Sequence, residues 1–254
     1  MEKTVLITGA TSGIGLACTR AFASKGHRII ICGRRTDRLE SLKKQTEQGF
    51  GVDIFSVRLD VRDRVAVKEA ISKLPEEWSA VDILINNAGL ALGLTSIGEG
   101  DQDEWDQMID TNIKGLLYIS RAIIPGMMKR KSGHIINIGS IAGRETYPSG
   151  NVYCATKYAV DALTQGMRID LVSYGIKVTQ ISPGATETEF SLIRFKGDAD
   201  RAKDVYRGFT PLNGDDIANA VLYAASLPPH VNINDMLIMP VSQANATTIH
   251  REQS

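Results

Sequence analysis

Four short apolar runs rich in β-branched residues, Thr4–Thr8, Arg28–Cys32, Asp53–Leu59 and Val81–Ile85, alternate with segments of helical periodicity. Runs of this length read as strands, and the segments between them are long enough to hold a crossover helix. A strand, a helix and a second parallel strand close with a right-handed connection, so the repetition predicts β-α-β units in a doubly wound sheet. Three further runs extend it: His134–Gly139, Lys177–Ser182 and Asp235–Met239. The expected architecture is α/β, a single-domain, doubly wound, parallel seven-stranded sheet of Rossmann type spanning residues 1–254. Residues 185–213 break the rhythm, being polar and without a strand pattern, and read as a lid over a substrate. Residues 241–254 form a polar C-terminal tail.

In an open sheet of this kind ligands lie beyond the carboxyl ends of the strands, near the point where strand order reverses. The first strand runs into Gly9-Ala10-Thr11-Ser12-Gly13-Ile14-Gly15 and then a helix. Glycines let backbone approach a pyrophosphate, and a helix amino terminus offers it unpaired N–H groups. The spacing departs from Gly-x-Gly-x-x-Gly, so a purely structural turn stands as the alternative. The second strand ends in Gly33-Arg34-Arg35, where an NAD-binding unit would carry an acidic residue. Guanidinium groups suit a 2′-phosphate through charge-assisted hydrogen bonds, which predicts NADP(H) as cofactor; solvated charges at a helix start are the alternative. Asp60-Val61 follows the third strand, and Asp60 is placed either to accept from an adenine amino group or to cap a helix beginning near Arg62. Asn87-Ala88-Gly89 follows the fourth strand, Ser140 the fifth and Pro183-Gly184 the sixth. All should converge on one crevice.

Between Ser140 and the sixth strand, Tyr153 and Lys157 are spaced i, i+4 and project from one face of a helix. A serine at a strand end with a phenol and an ammonium on one helical face can move a proton. The Tyr-x-x-x-Lys spacing alone is weak, because a packed tyrosine with a lysine lying alongside gives the same pattern. Composition narrows the partner class. The 29 basic and 29 acidic residues cancel, leaving no electrostatic footprint for nucleic acid or an anionic membrane. Three cysteines without paired spacing, and an amino terminus that enters a strand at once, predict a soluble cytoplasmic protein. The four histidines are scattered, and no metal site is expected.

In this order, Thr8-Gly9-x-x-x-Gly13-Ile14-Gly15, Asn86-Asn87-Ala88-Gly89, Asn112, Ser140, Tyr153-x-x-x-Lys157 and Pro183-Gly184 resemble the short-chain dehydrogenase/reductase family over residues 4–240. The resemblance implies a tetrad: Tyr153 as general acid/base, Lys157 lowering its pKa and holding the nicotinamide ribose, Ser140 binding the substrate oxygen, and Asn112 supporting a water and Lys157. It also implies that Thr188 holds the nicotinamide carboxamide and that the chain forms a homotetramer. Hydride transfer to a carbonyl leaves an alkoxide to be protonated, for which an acidified phenol is a suitable donor.

The runs Asn87–Gly93, Gly150–Tyr153, Arg194–Gly197 and His230–Asn234 look like those of NADP-dependent 3-hydroxy acid dehydrogenases and related sulfoacetaldehyde reductases. Arg144, in the loop after Ser140, and Arg194, in the lid, would place two cations near the pocket. That pairing suits an acid group, and a sulfonate with three acceptor oxygens in particular. The specific expectation is reduction of sulfoacetaldehyde to isethionate. NADP-dependent oxidation of a 3-hydroxy acid is the alternative, and a non-catalytic NADP-binding sensor is the alternative of another class. For Arg144 the opposing reading is a side chain turned to solvent or to an adjoining subunit.

Overall fold

The computed structural model describes residues 2–252; Met1 and the last two residues of the expected tail lie outside that range. The chain runs through β1 (Thr4–Thr8), α1 (Gly13–Ala23), β2 (Arg28–Gly33), α2 (Thr36–Phe50), β3 (Ile54–Arg58), α3 (Arg64–Ser72), the single turn α4 (Glu76–Ser79) and β4 (Ile83–Asn86). It continues through α5 (Gln102–Ile109), a widened π-helical turn (Asp110–Gly115), α6 (Leu116–Arg130), β5 (Gly133–Ile138), α7 (Asn151–Leu171) and β6 (Ile176–Pro183). Two short helices follow, α8 (Glu189–Arg194) and α9 (Ala199–Asp204), then α10 (Gly214–Ser226) and β7 (Asp235–Ile238). Among the described residues no helix is long and apolar enough to cross a membrane.

All strand pairings are parallel, in the order β3-β2-β1-β4-β5-β6-β7. The chain winds outward through β1, β2 and β3, then crosses back to lay β4 on the other side of β1. The order therefore reverses between β1 and β4, which is where their carboxyl ends leave room for a ligand. Strand side chains alternate in direction, so each run feeds two cores. Val5, Ile7, Ile29 and Ile31 pack with Phe22 of α1, Leu39 of α2 and Ile217 of α10. Leu6, Ile30, Leu84 and Ile135 pack on the opposite face with Val67 of α3 and Ile119 and Ile123 of α6. Each such fully buried side chain contributes about 1.5–3 kcal/mol, which explains why the central runs contain almost no polar residue.

One local expectation is corrected. Asp60 does not cap the third helix, which begins at Arg64: Asp63 caps it, accepting from Val65 N at 2.9 Å and Ala66 N at 3.0 Å. Between α5 and α6 the helical path widens into the π-helical turn that carries Asn112, the kind of local widening often found at functional sites. The polar segment 185–213 contains α8 and α9, and an isolated parallel bridge between Thr186 and Leu212 brings its two ends together.

Candidate active site

The carboxyl ends of β1, β2, β4, β5 and β6 open into one cavity of about 580 Å³. Its floor is the first turn, where Gly9 and Gly13 take left-handed φ angles of 65° and 53°. That conformation, open to glycine at no steric cost, carries Thr11, Ser12 and Ile14 along the cavity wall. Gly15 does not line it. A Cβ there would collide with the Gly9 carbonyl oxygen and the Asn87 amide, so Gly15 serves close packing of α1 under the turn. Asn87 Nδ2 donates to the carbonyls of Thr8 at 2.9 Å and Gly9 at 3.2 Å, tying β4 to the turn, while Asn87, Ala88 and Gly89 form the middle of the cavity.

Arg34, Arg35, Asp60 and Val61 line one end. Arg35 donates from Nη2 to Thr11 Oγ1 at 2.8 Å and Ser12 Oγ at 2.9 Å, and from Nη1 to Glu189 at 2.9 Å. Asp60 receives Arg62 Nη2 at 2.6 Å and Nε at 3.0 Å, and these hydrogen bonds hold its carboxyl below the usual range. Arg62 thus occupies the carboxylate expected to face an adenine.

At the other end α7 presents Tyr153 and Lys157, both buried, one turn apart. Ser140, Pro183, Gly184 and Thr188 complete the wall. Lys157 Nζ donates to the Ile138 carbonyl at 2.9 Å, and burial lowers its pKa to about 8. The expected acidification of Tyr153 by Lys157 is not what this geometry produces. Burial pushes the phenol well above its ordinary value, Tyr147 adds to the rise, and Ser140 and Arg194 offset only part of it. Lys157 Nζ stands 5.9 Å from the Tyr153 ring centroid. The Asn112 side chain exchanges hydrogen bonds with the Leu90 backbone at 2.8 and 2.9 Å and donates to Thr156 Oγ1 at 3.0 Å.

The two arginines expected at the substrate end part company. Arg194 lines the cavity, with its guanidinium 5.6 Å from the Tyr153 ring centroid. It donates from Nη2 to Tyr147 Oη at 2.8 Å and from Nε to the Gly93 carbonyl at 3.1 Å, and Nη1 has no hydrogen-bond partner among the described residues. Arg144 does not line the cavity. It pairs with Asp235 at the start of β7, and its own carbonyl receives the Tyr158 hydroxyl. A partly buried carboxylate on β7 outcompetes the pocket for it.

Several cavity residues lacked a sequence signal of their own. Tyr147 lies against Gly150, where a Cβ would collide with the tyrosine ring, and Phe190 meets Tyr153 edge-on at 5.6 Å. Gln243 and Ile249 come from the tail, which folds back so that Gln243 Oε1 accepts from Ala185 N at 2.8 Å. Only the aromatic and glycine content of the Ser140–Tyr153 loop hinted at the first of these.

Known proteins share this arrangement. The model of the short chain dehydrogenase family matches residues 3–196. An NADP-dependent 3-hydroxy acid dehydrogenase of Escherichia coli is 47% identical over 98% of this chain and 99% of its own. The chain belongs to the short chain dehydrogenase family. Sulfoacetaldehyde reductase 2 of Chromohalobacter salexigens is 44% identical over 96% of each chain. A solved structure described as the closed form of serine dehydrogenase complexed with NADP+ superimposes with a TM-score of 0.93 at 46% identity, covering 98% of this chain and all of that one. The preference for NADP read from Arg34-Arg35 agrees with the 3-hydroxy acid dehydrogenase and the serine dehydrogenase complex.

The cavity of this short-chain dehydrogenase fits such a dinucleotide on its own terms. The open glycine turn leads into α1, whose first N–H groups suit a pyrophosphate, and Arg34 and Arg35 stand at the end where a 2′-phosphate would lie. Lys157 and Thr188 would hold the nicotinamide half, with Thr188 already seated over Gly13.

Proposed function

We propose that this NADP-dependent oxidoreductase acts on the CH–OH group of a small 3-hydroxy acid, serine among them. The observation that carries this reading is Arg194, a guanidinium held 5.6 Å from the Tyr153 ring centroid with donors to spare. A guanidinium pairs with a carboxylate through two parallel hydrogen bonds. With Arg144 committed to Asp235, the second cation that favoured a sulfonate is missing from this end, and the 3-hydroxy acid reading gains over sulfoacetaldehyde. Sulfoacetaldehyde reduction stays as the second reading, supported by the 44% identical reductase.

Arg194 takes the acid group and Ser140 holds the hydroxyl oxygen. The phenolate of Tyr153 accepts the hydroxyl proton during oxidation and returns it during reduction. NADP supplies the hydride acceptor when bound. Lys157, buried and one turn along α7, offers its ammonium to the ribose hydroxyls. Asn112, by fixing Leu90, keeps the β4 loop against α7. Phe190 and Tyr147 exclude water from the phenol. The high intrinsic pKa of the buried phenol places its ionised form at alkaline pH, so the oxidative rate should climb as pH rises.

Steady-state rates on serine, 3-hydroxypropionate, isethionate and an uncharged secondary alcohol, with NADP and NAD, test the proposal. The 3-hydroxy acids with NADP should give the highest kcat/KM. A higher value for isethionate would hand the site to the sulfonate reading, and a higher value for the uncharged alcohol would remove the anion pocket altogether.

A further inference from the structure

Three arginines, Arg34, Arg35 and Arg38, gather where the loop after β2 enters α2, and one carboxylate answers two of them. Glu189, the first residue of α8, lines the cavity and accepts from Arg35 Nη1 at 2.9 Å with one oxygen and from Arg38 Nη1 at 2.6 Å with the other. Burial alone would raise its carboxyl, but the hydrogen bonds from Arg35 and Arg38 outweigh that and hold it below the usual range, so it is anionic at neutral pH. All three side chains are only partly exposed, at 36%, 45% and 37%, so the attraction is not fully screened. The contact is also long-range in sequence: it ties the segment after β6 to the loop after β2. Thr188, whose hydroxyl caps α8 by accepting from Phe190 N at 3.2 Å, packs over Gly13 and fixes where Glu189 starts.

A 2′-phosphate arriving at Arg35 meets a guanidinium that already carries a carboxylate, and it brings a second negative charge to the same spot. Like charges at such separation repel, so both anions cannot keep full use of one arginine. We propose that Glu189 is an internal competitor of the cofactor's 2′-phosphate for Arg35 and Arg38, and so a specificity-determining residue for the adenosine end. The inference rests on the NADP reading of Arg34 and Arg35. A nucleotide lacking the 2′-phosphate leaves the Glu189 contacts intact. One carrying it replaces them. Because Arg194 lies at the far end of the same short helix, the exchange reaches the element that holds the substrate's acid group.

Calorimetric titration of the full chain with adenosine 2′,5′-bisphosphate and with 5′-AMP reads the competition without any turnover. The wild-type chain should prefer the bisphosphate. Glu189→Gln should tighten the bisphosphate by roughly tenfold, as expected for removing two half-exposed ion pairs and one repulsion, and leave 5′-AMP unchanged. Glu189→Asp, which keeps the charge but shortens the reach, should fall between the two. An unchanged or weakened bisphosphate affinity in a Glu189→Gln chain that melts normally overturns the proposal, as does equal tightening of both ligands. If Glu189→Gln fails to fold, an unchanged bisphosphate affinity in Glu189→Asp overturns it equally. Absence of any wild-type preference for the bisphosphate is a different failure: it removes the NADP reading and the competitor with it.

Discussion

At the glycine turn the cavity wall includes the bare backbone of Gly9, Gly13 and Gly89, whereas around Tyr153 it is lined by larger residues drawn from α7, the loop after β5, α8 and the tail. The turn is held by hydrogen bonds among neighbours in the sheet, such as Asn87 Nδ2 to the Thr8 carbonyl. The substrate end is held by pairs between distant segments, such as Arg194 to Tyr147 and Lys196 to Glu104 at 2.6 Å. Backbone recognition tolerates little change because every atom has a fixed covalent place. Side-chain recognition can be rebuilt by one substitution, which is how one fold serves many substrates.

Substitutions at the two ends should separate binding of the dinucleotide from handling of the acid. The largest effect is expected for Tyr153→Phe, which should lower turnover by about 10²–10⁴-fold through loss of the proton carrier while NADPH affinity, read by calorimetry, stays unchanged. Retained turnover would mean that the phenol is a packing residue. Next comes Arg194→Gln: kcat/KM for the 3-hydroxy acid should drop roughly 10–100-fold, the range expected for losing a charge-assisted pair. NADPH affinity should again hold, and a parallel loss of it would blur the two ends.

The glycines sharpen the comparison further. Gly15→Ala forces a methyl into the Gly9–Asn87 contact, and overpacking of that kind costs about 1–3 kcal/mol, to be seen as a lower melting temperature together with weaker NADPH binding. Gly150→Ala displaces the Tyr147 ring instead, so KM for the acid should rise with NADPH affinity intact. The smallest effect belongs to Arg144→Ala. Its pair with Asp235 is partly exposed, so the stability loss should be about 1 kcal/mol or less, with KM for the acid unmoved. A large rise in KM would return Arg144 to the pocket.

Much of this was legible in the chain itself. The alternation of apolar runs and helical segments determined a parallel doubly wound sheet, because strand and helix periodicities are local and the handedness of the crossover leaves little choice. Tyr153 and Lys157 shared a helix face for the same reason, and Gly9, Gly13, Asn87 and Ser140 followed from strand ends that a parallel sheet must gather on one side. What only the tertiary structure decided were the pairings between distant side chains. Arg144 and Arg194 look alike in sequence, yet Asp235 on β7 holds one while Tyr147 and the Gly93 carbonyl aim the other at Tyr153. Asn112 turned to Leu90, Asp60 to Arg62, and Glu189 to the arginines expected to await a phosphate. A charged or polar side chain goes to the partner that folding brings nearest, and no periodicity in the chain records which partner that is.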